Sequence, residues 1–149
     1  MSFLVDTNVV SELRKGERCD PGVASWFSRL SADEIYLSVL TIGEIRKGIE
    51  RIRRRDPKAA ESLDTWLAEL KAAHSARILP LDQEAAEEWG RMNVPDPLPM
   101  IDSLLAATAK VEGLTVVTRN VKDVTRTGVA CLNPFKAAGD DETLQPMHR

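Results

Sequence analysis

Four carboxylates in this chain fall where an apolar segment stops or a helix starts: Asp6, Glu44, Asp102 and Asp123. Phe3-Leu4-Val5 runs straight into Asp6-Thr7-Asn8, and Leu114-Thr115-Val116-Val117 runs into Thr118-Arg119-Asn120, with Asp123 just beyond. In an open parallel sheet, ligands bind in the crevice outside the carboxyl ends of the strands. Carboxylates delivered there from several segments can share one cation. Mg²⁺ suits such a group, being a hard ion that takes oxygen ligands, keeps several waters and uses few protein carboxylates. It can acidify a bound water and offset charge building on phosphoryl oxygens. Without a cation the group repels itself, by about 4 kcal/mol for two charges ~4 Å apart at an effective dielectric of about 20. The pattern reads as a metal-dependent enzyme.

Each member also has a purely structural explanation. Asp6 can end a strand and hydrogen-bond the turn that follows. Thr41-Ile42-Gly43-Glu44 fits a capping box, in which the glutamate reaches back to the cap residue's amide. Asp102 stands in the first turn of a helix, where the dipole favours any carboxylate. Asp123 can be an ordinary loop residue. The joint placement, rather than any single residue, carries the functional reading.

The elements that must position these groups follow from pattern. Residues 2–6 form a continuous apolar run, as in a buried strand. Asn8 is expected to cap a short helix through Val9, Val10 and Leu13. Asp20-Pro21 reads as an N-cap with proline at the first helical position. Ile35 to Leu40 reads as a second strand, and Thr41 as the start of a helix with Ile42, Ile45, Ile49 and Ile52 on one stripe. Asp56-Pro57 breaks that pattern before a further helix with Leu63, Trp66, Leu67 and Leu70. Arg77 to Leu81 reads as a third strand, and Asp82 as the cap of a helix through Ala85, Ala86 and Trp89. The prolines of residues 93–99 mark a loop. Pro99 opens a helix with Ile101, Leu104 and Leu105, Leu114 to Val117 is a fourth strand, and Val129 to Leu132 a short fifth. Residues 136–149 are polar and are expected to be a mobile tail. Strands alternating with helices predict a single α/β domain over residues 1–135. It should be a three-layer α/β/α sandwich around a mostly parallel sheet.

Composition narrows the function. The 149 residues are 43% hydrophobic, enough for one core. A formal net charge of −3 excludes a strongly basic nucleic-acid module, though not a local basic groove. Arg46, Lys47, Arg51, Arg53, Arg54 and Arg55 follow Glu44 on its own helix. They read as a solvated helix face or as an edge that contacts phosphates or an acidic partner, with Arg46 and Lys47 the better candidates. Cys19 and Cys131 form neither a disulfide framework nor metal-ligand spacing, which points to a reducing interior. No secretory signal or membrane-length apolar run is visible, so a soluble cytoplasmic protein is expected. His74 and His148 have no partner spacing, which disfavours histidine catalysis. Trp26, Trp66 and Trp89 lie in apolar stripes and read as core.

The blocks Asp6-Thr7-Asn8, Leu37 to Glu44, Ile101 to Ala109, Val117 to Asp123 and Leu132-Asn133-Pro134-Phe135 resemble PIN-domain ribonucleases in order and spacing. The pattern is most similar to the VapC and FitB toxins of toxin–antitoxin pairs. The resemblance implies an endoribonuclease dependent on Mg²⁺, with Mn²⁺ as a substitute. Asp6 and Asp102 would be the principal metal ligands. Glu44 and Asp123 would complete the acidic pocket, and Asn120 falls where the family carries aspartate or asparagine. It further implies an RNA substrate, a VapB-like antitoxin partner and a homodimer. Val124 replaces a frequent phenylalanine, and the loop before Asp102 lacks the basic character often seen there. Two alternatives stand beside this reading: a catalytically weak PIN-fold module acting through its partner, and a DNA-directed nuclease.

Overall fold

The computed structural model describes residues 1–135. The expected polar tail, 136–149, lies outside the described residues. Five strands form one sheet in the order β3-β2-β1-β4-β5: β1 Phe3–Val5, β2 Ile35–Ser38, β3 Ile78–Leu79, β4 Thr115–Val117 and β5 Cys131–Leu132. Every pairing is parallel. The helices are α1 Thr7–Leu13, α2 Pro21–Ser28, α3 Val39–Arg53, α4 Pro57–Ala73, α5 Gln83–Met92, α6 Met100–Glu112 and α7 Val121–Thr125.

Strand alternation divides the core into two layers. Phe3 and Val5 of β1, with Ile35, Leu37 and Val117, pack against Val9, Trp26, Ile45 and Leu67 on the α1–α4 side. Leu4, Val116 and Cys131 face the other way, against Leu105, Ala106 and Ala109 of α6 and Val124 of α7. The three-layer α/β/α sandwich is thus present, with the sheet entirely parallel.

Three local readings change. The first helix begins at Thr7, and its cap is Asp6, whose side chain accepts from the Thr7 amide; Asn8 lies inside the helix. The third helix begins at Val39, capped by Ser38 accepting from the Leu40 amide. Thr41 is therefore at the third helical position and fully buried, so the Thr41–Glu44 capping box does not exist. Residues 121–125 form a helix, so Asp123 belongs to a helical turn rather than to a loop. At the end of α6 the chain turns through Gly113 at φ 72°, a left-handed conformation that glycine adopts without steric cost. That turn feeds β4 directly alongside β1.

Successive strands run outward from β1 to β3, and the chain then returns to place β4 on the other side of β1. The order reverses between β1 and β4, which is where an α/β sheet of this type offers a ligand crevice. Among the described residues, no helix is long and apolar enough to cross a membrane.

Candidate active site

The register that pairs Val5 with Val117 brings Asp6 and Thr118 side by side at the switch point. Asp6 is only 4% exposed. Its Oδ1 accepts from the Thr7 amide at 2.7 Å, and its Oδ2 accepts from the Thr118 hydroxyl at 2.7 Å. Thr118 is itself buried and accepts from the Asn120 amide at 2.9 Å. Asn8 joins the two strand ends: its Nδ2 lies 3.4 Å from both Asp6 and Thr118, and its Oδ1 accepts from the Arg119 amide at 3.2 Å. Burial, opposed by the Thr118 and Thr7 hydrogen bonds and reinforced by Glu44, raises the Asp6 carboxyl above its ordinary range.

Glu44 stands in the second turn of α3, and its Oε1 accepts from the Thr7 hydroxyl at 2.5 Å. With no capping box to satisfy, its carboxylate belongs to the cleft. Asp102 occupies the first turn of α6. Burial, followed by the charges of Asp6, Asp123 and Glu44, pushes its carboxyl up to about 6, while the neighbouring Asn120 side chain pulls the other way. Three carboxylates from other elements thus act on Asp102, and one of them, Asp6, also caps α1.

The cleft has a volume of about 650 Å³. Asp6, Glu44, Asp102 and Asn120 line it, together with Thr7, Asn8 and the Pro99–Ile101 segment. Asp123 does not line it; its charge reaches Asp102 from α7. Arg46 departs from expectation. It is engaged by Asp64 at 2.8 Å and Glu50 at 3.1 Å across α3 and α4, away from the acidic wall. The cations that line the cleft are Lys47 and Arg51. Sequence reasoning ranked Arg51 below Arg46 and Lys47, and gave Thr7 and Thr118 no role of their own. Helical arithmetic held the signal for Arg51, because positions 44, 47, 48 and 51 share a face while 46 does not. Thr118 follows β4 just as Asp6 follows β1, and that symmetry was available too.

Among the described residues, no three His, Cys, Asp or Glu side chains converge as a ready-made metal cage. The donor set is nevertheless all hard oxygen, and burial together with the neighbouring negative charges raises the Asp102 carboxyl to about 6. That chemistry fits a hydrated Mg²⁺ or Mn²⁺ held by one or two carboxylates and completed by water, and not zinc. A second depression, about 360 Å³, lies under α1, α2 and α4 and is lined by Val10, Leu13, Phe27, Trp66 and Leu70 with no carboxylate. Of the tryptophans, Trp26 is buried against Phe3, as a core residue should be. Trp66 is partly exposed beside Arg14, and Trp89 donates to Ser103 at 3.0 Å.

The family model for the PIN domain matches residues 3–128. The chain is a PIN-domain protein. Among curated PIN-domain relatives it is 31% identical to the toxin FitB of Neisseria gonorrhoeae over 140 residues, covering 89% of this chain and 98% of FitB. It is 29% identical to the VapC ribonuclease Y4jK of Sinorhizobium fredii, covering 91% and 99% of the two chains. The crystal structure of FitAcB from N. gonorrhoeae superposes with a TM-score of 0.81 at 30% identity, covering 89% of this chain and 97% of that one. A DNA-bound VapBC from Salmonella typhimurium, at 22% identity and a TM-score of 0.71 over 90% and 98% of the chains, shares the fold. The PIN-domain match spans Asp6, Glu44, Asp102, Asn120 and Asp123 alike.

Thr118 tests how this site is braced. Thr118→Val removes the hydroxyl that donates to Asp6 and accepts from the Asn120 amide, and so takes from the buried Asp6 carboxylate its 2.7 Å donor. The expected loss is about 1–3 kcal/mol of stability. Thr118→Ser should restore most of it. Equilibrium urea unfolding of the two variants checks the result, and equal stability of valine and serine forms would remove Thr118 from this role.

Proposed function

We propose that this protein is an endoribonuclease that hydrolyses RNA phosphodiester bonds with Mg²⁺ or Mn²⁺, and acts as the toxin of a toxin–antitoxin pair. The observation that carries the reading is that Asp6, Glu44 and Asp102 line one cleft at the β1–β4 switch point, with the charge of Asp123 reaching Asp102 from α7. The names of the similar proteins, a toxin and a ribonuclease, support it.

Asp6 and Asp102 would hold the metal. When bound, the ion supplies an acidified water and positive charge for the phosphoryl oxygens. Thr118 and the Thr7 amide fix the orientation of Asp6. Glu44, tethered through Oε1 by Thr7, has its second oxygen available to orient or deprotonate an attacking water. Asn120 contributes a neutral amide beside Asp102, limiting the negative charge of the site. That neutral position is also what favours the second reading, a weakly catalytic module working through its partner.

An antitoxin, a homodimeric assembly and a cytoplasmic setting belong to the same proposal. Neighbouring structures are toxin–antitoxin complexes, which supports a protein partner. The apolar depression under α1, α2 and α4 offers such a partner a seat.

Cleavage of total cellular RNA in Mg²⁺, with the ends mapped, is the decisive experiment. Hydrolysis should leave a 3′-hydroxyl and a 5′-phosphate. A 2′,3′-cyclic phosphate would mean attack by the ribose 2′-hydroxyl and would refute the mechanism. Cutting of single-stranded DNA at an equal rate would favour a DNA-directed nuclease. No cutting at any Mg²⁺ or Mn²⁺ concentration would favour the binding module.

A further inference from the structure

The α3 helix carries two charge faces that are treated differently. Arg46 and Arg53 are both engaged by Glu50 and Asp64, so that face is neutralised within the protein. Lys47 and Arg51 are exposed, line the acidic cleft, and have no ion-pair partner among the described residues. They stand one helical turn apart on the face that also carries Glu44.

Between them lies Gly48, which lines the same cleft. A glycine inside a helix costs roughly 0.5–1 kcal/mol relative to alanine. Nothing in the fold requires it here: its φ is not left-handed, and an added Cβ would meet nothing within 4 Å. The missing side chain leaves a flat strip of helix backbone between two unpaired cations. Across the cleft, Met100 is 63% exposed beside Ile101, an apolar lip on an otherwise polar opening.

We infer that the Lys47–Gly48–Arg51 face of α3 seats the phosphodiester backbone of an unpaired RNA strand next to the scissile bond, with the lip at Met100 receiving one of its bases. The inference rests on the nuclease reading and names the strand's path through that site. Two cations a turn apart meet successive phosphates, and Gly48 admits the backbone between them. An unpaired strand can turn a base onto an apolar side chain, whereas a duplex keeps its bases stacked inside. The carboxylates repel a polyanion, so the two cations favour a strand that runs along their face of α3.

The test measures binding of a short unstructured oligoribonucleotide to full-length protein carrying Asp102→Asn to suppress cutting, across a salt series. Adding Lys47→Gln with Arg51→Gln should weaken binding roughly tenfold or more, since each removes a charged phosphate contact. The salt slope should fall by about 1.4, for two contacts on a single strand. Arg54→Gln with Arg55→Gln makes the same change in net charge at the exposed end of α3 and should leave affinity unchanged. Gly48→Leu, which alters no charge, should weaken binding without lowering the melting temperature. Met100→Ser should weaken the strand and not a duplex of the same sequence.

Equal losses from the Lys47/Arg51 and Arg54/Arg55 pairs would reduce the effect to net charge and overturn the assignment, as would an unchanged salt slope. Duplex bound as tightly as single strand would also overturn it. So would loss of polyglutamate binding with RNA affinity intact, which would make the face a seat for an acidic peptide. Wild type that cuts RNA while the Lys47/Arg51 variant binds normally removes this inference alone; wild type that neither binds nor cuts RNA removes the nuclease reading with it.

Discussion

Asp102→Asn should cut cleavage by orders of magnitude and, in the same protein, raise the melting temperature of the metal-free form. Burial and the charges of Asp6, Asp123 and Glu44 lift the Asp102 carboxyl from 3.8 to about 6. In that pH interval the folded protein holds a proton that the unfolded chain has released. Stability from this group is therefore fully present below pH 4 and is lost as the pH rises through about 6. The full difference corresponds to about 3 kcal/mol. Screening of a half-buried group reduces it to about 1–2 kcal/mol at neutral pH.

Asparagine carries no charge, so it escapes that penalty while keeping the shape. The expected gain is a melting temperature roughly 3–6 °C higher in EDTA at pH 7.5. The gain should disappear below pH 4, where wild type is protonated as well. Mg²⁺ or Mn²⁺ should raise the wild-type melting temperature and leave the variant nearly unmoved. Cleavage should fall about 10²–10³-fold, the size of loss seen on removing one preorganised electrostatic group. Thermal melts across pH, paired with the RNA assay, check both halves. A variant no more stable than wild type at pH 7.5 would mean that burial and the neighbouring charges together do not penalise the ionised Asp102 carboxylate.

Asp6→Ala should lose cleavage as completely, with the opposite effect on stability. Asp6 also belongs to the cluster, and burial raises its carboxyl too. Unlike Asp102, it is a structural acceptor: it caps α1 through the Thr7 amide and receives the Thr118 hydroxyl. Removing a helix cap of this kind costs about 0.5–2 kcal/mol. Leaving the buried Thr118 hydroxyl without its acceptor costs about 1–3 kcal/mol more. Relief of repulsion offsets part of this, for a net loss of about 1–3 kcal/mol and a melting temperature several degrees lower. Two aspartates equal in the assay and opposed in the melt would separate the brace of the site from its charge. If Asp6→Ala proved more stable than wild type in EDTA, repulsion would outweigh both the cap and the Thr118 bond.

The two faces of α3 show why charge along a sequence is a poor guide to a binding edge. Six cations follow Glu44, and proximity to Glu44 singles out Arg46 and Lys47. Helix phase separates them. Lys47 shares the Glu44 face and lines the cleft, whereas Arg46 turns toward α4, where Asp64 receives it.

By itself the sequence determined the alternation of strands and helices, the three layers and the identity of the acidic residues. These depend on local quantities: apolar runs, helical stripes, Asp-Pro starts and the loop-forming prolines before Met100. It did not determine where helices begin when two cap residues compete. Ser38 wins over Thr41 because Thr41 is needed in the core, fully buried beneath α3. Asp6 wins over Asn8 because Asn8 is drawn off to tie Arg119 and Thr118 to the end of β1. Only the tertiary structure decided which carboxylates are neighbours and how they hold protons. Asp6 meets Thr118 across 112 residues of chain, and Thr7 meets Glu44 across 37. Such contacts are set by sheet register and by the packing of whole helices, and no short stretch of sequence contains that information.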